Sequence, residues 1–140
     1  MNVLLAIPSH NRPYRLDNTV KYWLNEYSYN WKIFVEPNQY IYYEQTVPSN
    51  SIVKTNNENY ICGQMVDIAK YAQENGFKYV FKVDDDMCFT KKGLKKRDHF
   101  KVAEEIVLKA KSFMDKDSGC GLITVPKAMT YLYYKKDDEF

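Results

Sequence analysis

The sequence predicts an α/β domain: a largely parallel, doubly wound sheet between helical layers. Three observations predict it. Strand-like and helix-like patterns take turns along the chain, which favours parallel strands joined by helical crossovers. The first apolar run, Val3 to Ile7, is unbroken and closed by Pro8, as in a strand buried on both faces. The chain is 140 residues long, enough for one core of ordinary size and short for two. With 45% hydrophobic and 27% charged residues it belongs with globular chains and not with disordered or fibrous ones.

The elements follow in order. After the first strand, Leu16, Val20, Trp23, Leu24 and Tyr27 fall on one helical stripe that starts near Pro13, a residue suited to a first helical position. Lys32 to Val35 is a second short strand, stopped by Glu36 and Pro37; Tyr40 to Gln45 reads as a short helix and Ser51 to Lys54 as a weaker third strand. Ile61, Met65, Ile68, Ala69 and Ala72 mark a second long helix that ends at Asn75-Gly76, a favourable C-terminal cap. Lys78 to Val83 forms a fourth strand that runs into Asp84, Asp85 and Asp86. A third long helix is expected from about Asp98 to Met114, burying Ala103, Ile106, Val107, Ala110 and Phe113 or Met114, with His99 at an exposed helix start. Gly121 to Val125 reads as a fifth strand, followed by an aromatic and then charged tail from Ala128.

Charge and cysteine content exclude several classes. The formal net charge is +2, yet residues 91–101 hold six basic groups and one acid. This patch reads as a solvated loop and helix start, as a phosphate holder, or as a surface for nucleic acid or another anionic acceptor; without a DNA-reading motif it gives salt-sensitive, sequence-independent affinity at most. Cys62, Cys88 and Cys120 are widely spaced without a CxxC pair, so neither a disulfide framework nor a zinc site is signalled. The apolar runs are too short to span a bilayer, and the opening segment reads as a strand and not a signal peptide, so a cytoplasmic protein is expected. The bias to Lys, Asn and Tyr suggests an AT-rich genome, such as that of a phage, a virus or a low-GC bacterium. Thirteen tyrosines include candidate stacking platforms at Tyr40, Tyr42, Tyr43, Tyr131, Tyr133 and Tyr134, which read equally as half-buried packing residues.

The chemistry is expected where the winding reverses. In a doubly wound sheet the first and fourth strands lie side by side there, and ligands bind beyond their carboxyl ends. Pro8-Ser9-His10-Asn11-Arg12-Pro13 should therefore meet Asp84-Asp85-Asp86 in space. Three adjacent carboxylates repel one another, and a hard divalent cation, Mg²⁺ or Mn²⁺, would relieve this; the alternative is an exposed acidic turn. Neither GxGxxG nor GxxxxGK[ST] is present, so a phosphate would be held by metal and by side chains such as Arg12, Lys91 or Lys92. Asp84 and Asp86 have the spacing of the haloacid-dehalogenase motif DxDxT, but Cys88 stands in place of threonine and the motif closes the fourth strand instead of the first.

Three segments, IPSHNRPYRLDNTV, IFVEP and YVFKVDDDM, resemble the GT-A fold glycosyltransferases, in particular the family-two-like branch with its phage and TET-associated relatives. The resemblance covers roughly residues 1–90. It implies a three-layer sandwich with a mostly parallel, Rossmann-like sheet of the nucleotide-diphospho-sugar transferase type. The whole chain would be one such domain, with 1–90 the nucleotide-sugar-binding half and 91–140 a short acceptor-side remainder. It also implies a metal-dependent enzyme that moves a sugar from a nucleotide-diphosphate sugar to an acceptor, modified phage DNA or a glycan, with Mn²⁺ or Mg²⁺ as cofactor. Carried over by position, Pro8 and Ser9 would line the nucleotide pocket, Arg12 would approach base or diphosphate, Glu36 would touch base or ribose, Asp84 and Asp85 would make ribose or bridging contacts, and Asp86, with Asp84, would bind the metal. No catalytic base is singled out among Glu104, Glu105, Asp115, Asp117 and Asp137 to Glu139. A second copy or a partner chain could complete the acceptor side. The alternative reading is a non-catalytic module of the same fold, serving nucleotide binding or assembly.

Overall fold

The computed structural model describes residues 2–56, 61–87, 89 and 99–117. Four strands, β1 (Val3–Pro8), β2 (Trp31–Val35), β3 (Ile52–Lys54) and β4 (Tyr79–Lys82), form one sheet in the order β3-β2-β1-β4, with every neighbouring pair parallel. The helices are α1 (Pro13–Tyr22), α2 (Tyr40–Tyr43), α3 (Ile61–Glu74) and α4 (His99–Lys116), with single 3₁₀ turns at Leu24–Glu26, Pro37–Gln39 and Ser49–Ser51. The expected fifth strand, the tail from Ala128, Cys88, Cys120 and residues 91–98 of the basic patch lie outside the described residues.

All six residues of β1 are buried, because successive side chains point to opposite faces and both faces are covered. Leu5 and Ile7 pack with Leu16, Val20, Trp23, Leu24, Tyr43 and Ala103 on one side. Leu4 and Ala6 pack with Phe34, Ile68 and Ala72 on the other. The sequence stripe beginning at Leu16 is buried in full, although α1 stops at Tyr22 and a 3₁₀ turn carries the chain on to Tyr27.

The inward face of α3 differs from the apolar stripe. Met65 and Ala69 are exposed, whereas Gln64, Asp67, Ile68 and Ala72 are buried. The two polar members find internal partners: the Gln64 amide donates to the Ser9 carbonyl at 3.4 Å, and Asp67 Oδ2 accepts the Asn56 N–H at 2.8 Å. Hydrogen bonding makes their burial tolerable, and hydropathy alone does not register it. The C-terminus of α3 follows expectation: Gly76 has φ +71°, and the Phe77 N–H reaches back to the Ala72 carbonyl at 2.9 Å, a Schellman-type closure. His99 is a correction, for it is buried. It stands four residues before Ala103 and eight before Val107, so helical geometry turns it inward with them.

The chain divides into two compact units, residues 1–107 and 108–140. The first holds the sheet and everything described below. Of the second, the described part is the end of α4, where Lys111 and Asp115 pair one turn apart. No helix among the described residues is long and apolar enough to cross a membrane.

Candidate functional site at the carboxyl ends of β2, β1 and β4

Strands β1 and β4 run side by side, with Ala6 opposite Lys82, and β1 meets β2 with Pro8 opposite Phe34. The residues just past their carboxyl ends therefore gather at one edge of the sheet. Asp85 and Met87 are tied down by α1 and the residue that follows it: the Thr19 hydroxyl donates to the Asp85 carbonyl at 2.6 Å, and Trp23 Nε1 donates to the Met87 carbonyl at 3.0 Å. The Trp23 ring also meets Phe89 edge-on, with centroids 5.1 Å apart.

The loop after β1, residues 9–12, leans on both neighbours. Toward β4, the Ser9 hydroxyl lies 2.5 Å from Asp85 Oδ2 and 2.6 Å from the Tyr43 hydroxyl, which also receives the Arg12 backbone N–H at 3.2 Å. A carboxylate can only accept, so Ser9 gives its proton to Asp85 and Tyr43 gives its own to Ser9. The result is a directed chain from Arg12 N–H through Tyr43 and Ser9 to Asp85. Burial pushes the Tyr43 hydroxyl above its ordinary value, opposed in part by its Ser9 bond, and so keeps it a donor. Arg12 Nη2 stands 2.8 Å from Asp85 Oδ1, and Nη1 is 3.9 Å from Asp86 Oδ2.

Toward β2, His10 Nδ1 is 3.0 Å from Glu36 Oε2, and the Gln39 amide nitrogen is 2.6 Å from the same oxygen. The Asn11 backbone N–H donates to Gln39 Oε1 at 2.7 Å. Asn11 sits at φ +53°, a left-handed conformation that asparagine tolerates better than most side chains.

Each residue expected to touch a ligand thus has a definite place. Pro8 is the buried end of β1. Ser9 and Asp85 are brought together and sealed beneath the surface, Asp85 with a fully inaccessible side chain. Glu36 is buried at 5% side-chain exposure and is held by His10 and Gln39. Asp84 pairs with Lys82. Arg12 and Asp86, at 44% and 43%, remain open to solvent. The repulsion expected among the three aspartates is relieved within the chain by Lys82, Arg12 and Ser9.

Among the described residues no group of three or more carboxylate, histidine or cysteine side chains could by itself hold a metal ion. Of the two aspartates expected to bind a metal, Asp84 is paired with Lys82, and Asp86 is half exposed with Arg12 Nη1 3.9 Å from its Oδ2.

No family model, curated protein or solved structure matches this chain. The site is read from its own side chains. Two of them, Gln39 and Gln64, were not signalled as site residues by the sequence, and Tyr43 was signalled only as a candidate stacking platform and not for its hydroxyl. Glu36, Gln39 and Tyr43 stand at offsets 0, 3 and 7 along the segment that follows β2, their polar heads all meet the β1 loop, and this helix-like spacing is the signal that could have found them.

Proposed function

We propose that this edge of the sheet binds a nucleoside-diphosphate sugar and that the chain transfers the sugar to a hydroxyl-bearing acceptor, as GT-A fold glycosyltransferases do. The observation that supports it is a half-exposed guanidinium beside a half-exposed carboxylate, Arg12 and Asp86, at the point where a parallel sheet reverses its winding. Arg12 presents a planar fork of donors suited to diphosphate oxygens. Asp85 holds that fork from below, with Ser9 and Tyr43 behind it, so orientation is set before a ligand arrives. Asp86 and Asp84 would hold Mn²⁺ or Mg²⁺, which supplies charge neutralisation to a departing diphosphate. Glu36 is enclosed on the β2 side of the β1 loop, held by His10 and Gln39.

The test is release of nucleoside diphosphate from a panel of UDP- and GDP-sugars with Mn²⁺. The wild-type chain is expected to release it from at least one donor, and folded Asp86→Ala from none. Equal release by the variant would refute the assignment of Asp86.

A further inference from the structure

We infer that His10 is the group that accepts the acceptor's proton, with Glu36 and Gln39 positioning it; this rests on the transfer reading above. With Glu36 as the carboxylate and His10 as the neutral imidazole, the hydrogen-bond pattern leaves one arrangement of protons. The Asn11 backbone N–H can only donate, so the Gln39 amide must turn its oxygen toward Asn11. Its nitrogen then faces Glu36, the 2.6 Å contact. Glu36 Oε2 can only accept, so the neutral imidazole carries its hydrogen on Nδ1, pointed at that oxygen 3.0 Å away. The 3.2 Å approach of the Gln39 nitrogen to the same Nδ1 is then donor against donor, a contact and not a bond.

The consequence falls on Nε2. With Nδ1 protonated, Nε2 holds the lone pair. Its neighbour is the Asn11 side-chain nitrogen at 3.0 Å, a donor on an exposed residue, which an acceptor hydroxyl can replace. The His10 side chain is 55% exposed while Glu36 behind it is buried at 5%, the layout of a solvent-facing base backed by an enclosed carboxylate. In the step, the acceptor O–H gives its proton to Nε2, its oxygen forms the bond to the sugar's anomeric carbon, and the bond from that carbon to the diphosphate oxygen breaks, the electron pair leaving with the diphosphate. Glu36 faces the resulting imidazolium and stabilises it.

The chain has two histidines, so the tautomer can be measured directly. Long-range ¹H–¹⁵N spectra at alkaline pH are expected to show one ring protonated on Nδ1, absent in His10→Gln; if the ring lost in that variant is protonated on Nε2, the inference is overturned. Turnover of a donor by His10→Gln is expected to fall about 100-fold or more, with UDP or GDP binding by calorimetry unchanged within twofold and the acid limb of the pH–rate profile gone. An equal loss of binding and turnover, or an intact acid limb, overturns the role. If neither wild type nor variant binds any nucleotide, the transfer reading fails and the role with it, whereas the tautomer stands as measured.

Discussion

The two flanks of the β1 loop each bury a carboxylate, and they neutralise it in different ways. On the β4 side Asp85 faces Arg12, whose charge is permanent, and a hydroxyl chain from Tyr43 and Ser9. On the β2 side Glu36 faces the imidazole of His10 and the side-chain amide of Gln39. On the proposed function this divides the labour within four consecutive residues: Arg12 presents a cation on one flank, and His10 exchanges a proton on the other.

The largest effect should come from breaking the permanent pair. Arg12→Ala leaves Asp85 buried without its ion-pair partner, with Ser9 as its one side-chain donor among the described residues. Because Arg12 is itself half open to solvent, the loss sits at the low end for buried pairs, about 3 kcal/mol in denaturant unfolding. Arg12→Lys should recover part of it, since a point charge replaces the fork. A loss under about 0.5 kcal/mol for Arg12→Ala would break the comparison, because Asp85 would then not depend on the permanent cation.

Tyr43→Phe comes next. It removes the donor to Ser9 and the acceptor of the Arg12 N–H while leaving the ring in place, so a loss of about 1–2 kcal/mol is expected. A neutral result would mean that the hydroxyl chain is incidental to the β4 flank.

Tyr27 sharpens the contrast from outside the site. Its hydroxyl is buried without a hydrogen-bond partner, so Tyr27→Phe should raise stability, by about 1 kcal/mol. Burial pushes its ionisation well above the ordinary 10.0, with Glu104 and Tyr29 adding to the effect. A group whose folded value is raised gives stability that is complete below the unfolded value and is lost as pH climbs through the window above it. Stability should therefore fall above about pH 10, and Tyr27→Phe should fall less steeply, which urea unfolding across pH 9 to 11 would measure. Tyr43 and Tyr71, raised in the same direction by burial, add to the alkaline loss.

Much of the frame was legible in the sequence, because apolar periodicity is a local signal. The runs Val3 to Ile7, Lys32 to Val35 and Lys78 to Val83 all become strands within a residue or two of their expected ends. Alternation alone also implied that Ser9 and Arg12 would meet the aspartates, and both touch Asp85. What stayed hidden depends on partners distant in sequence. Tyr43 looked like one aromatic among many until its hydroxyl reached Ser9, 34 residues away. His99 and Asp67 are polar side chains turned inward, which hydropathy assigns to the surface. His10 carried no motif; the geometry of Glu36, Gln39 and Asn11 gives it a tautomer and a direction.

On the proposed function, the open edge of this site takes a nucleoside diphosphate through Arg12 and Asp86. Calorimetric titration of UDP and GDP, with and without Mn²⁺, into wild type, Asp86→Ala and Arg12→Lys tests it most directly. Mn²⁺-dependent binding of at least one nucleotide is expected, abolished in Asp86→Ala and weakened in Arg12→Lys. Absence of binding to the folded wild-type chain, or Mn²⁺-dependent binding undiminished in Asp86→Ala, would contradict it.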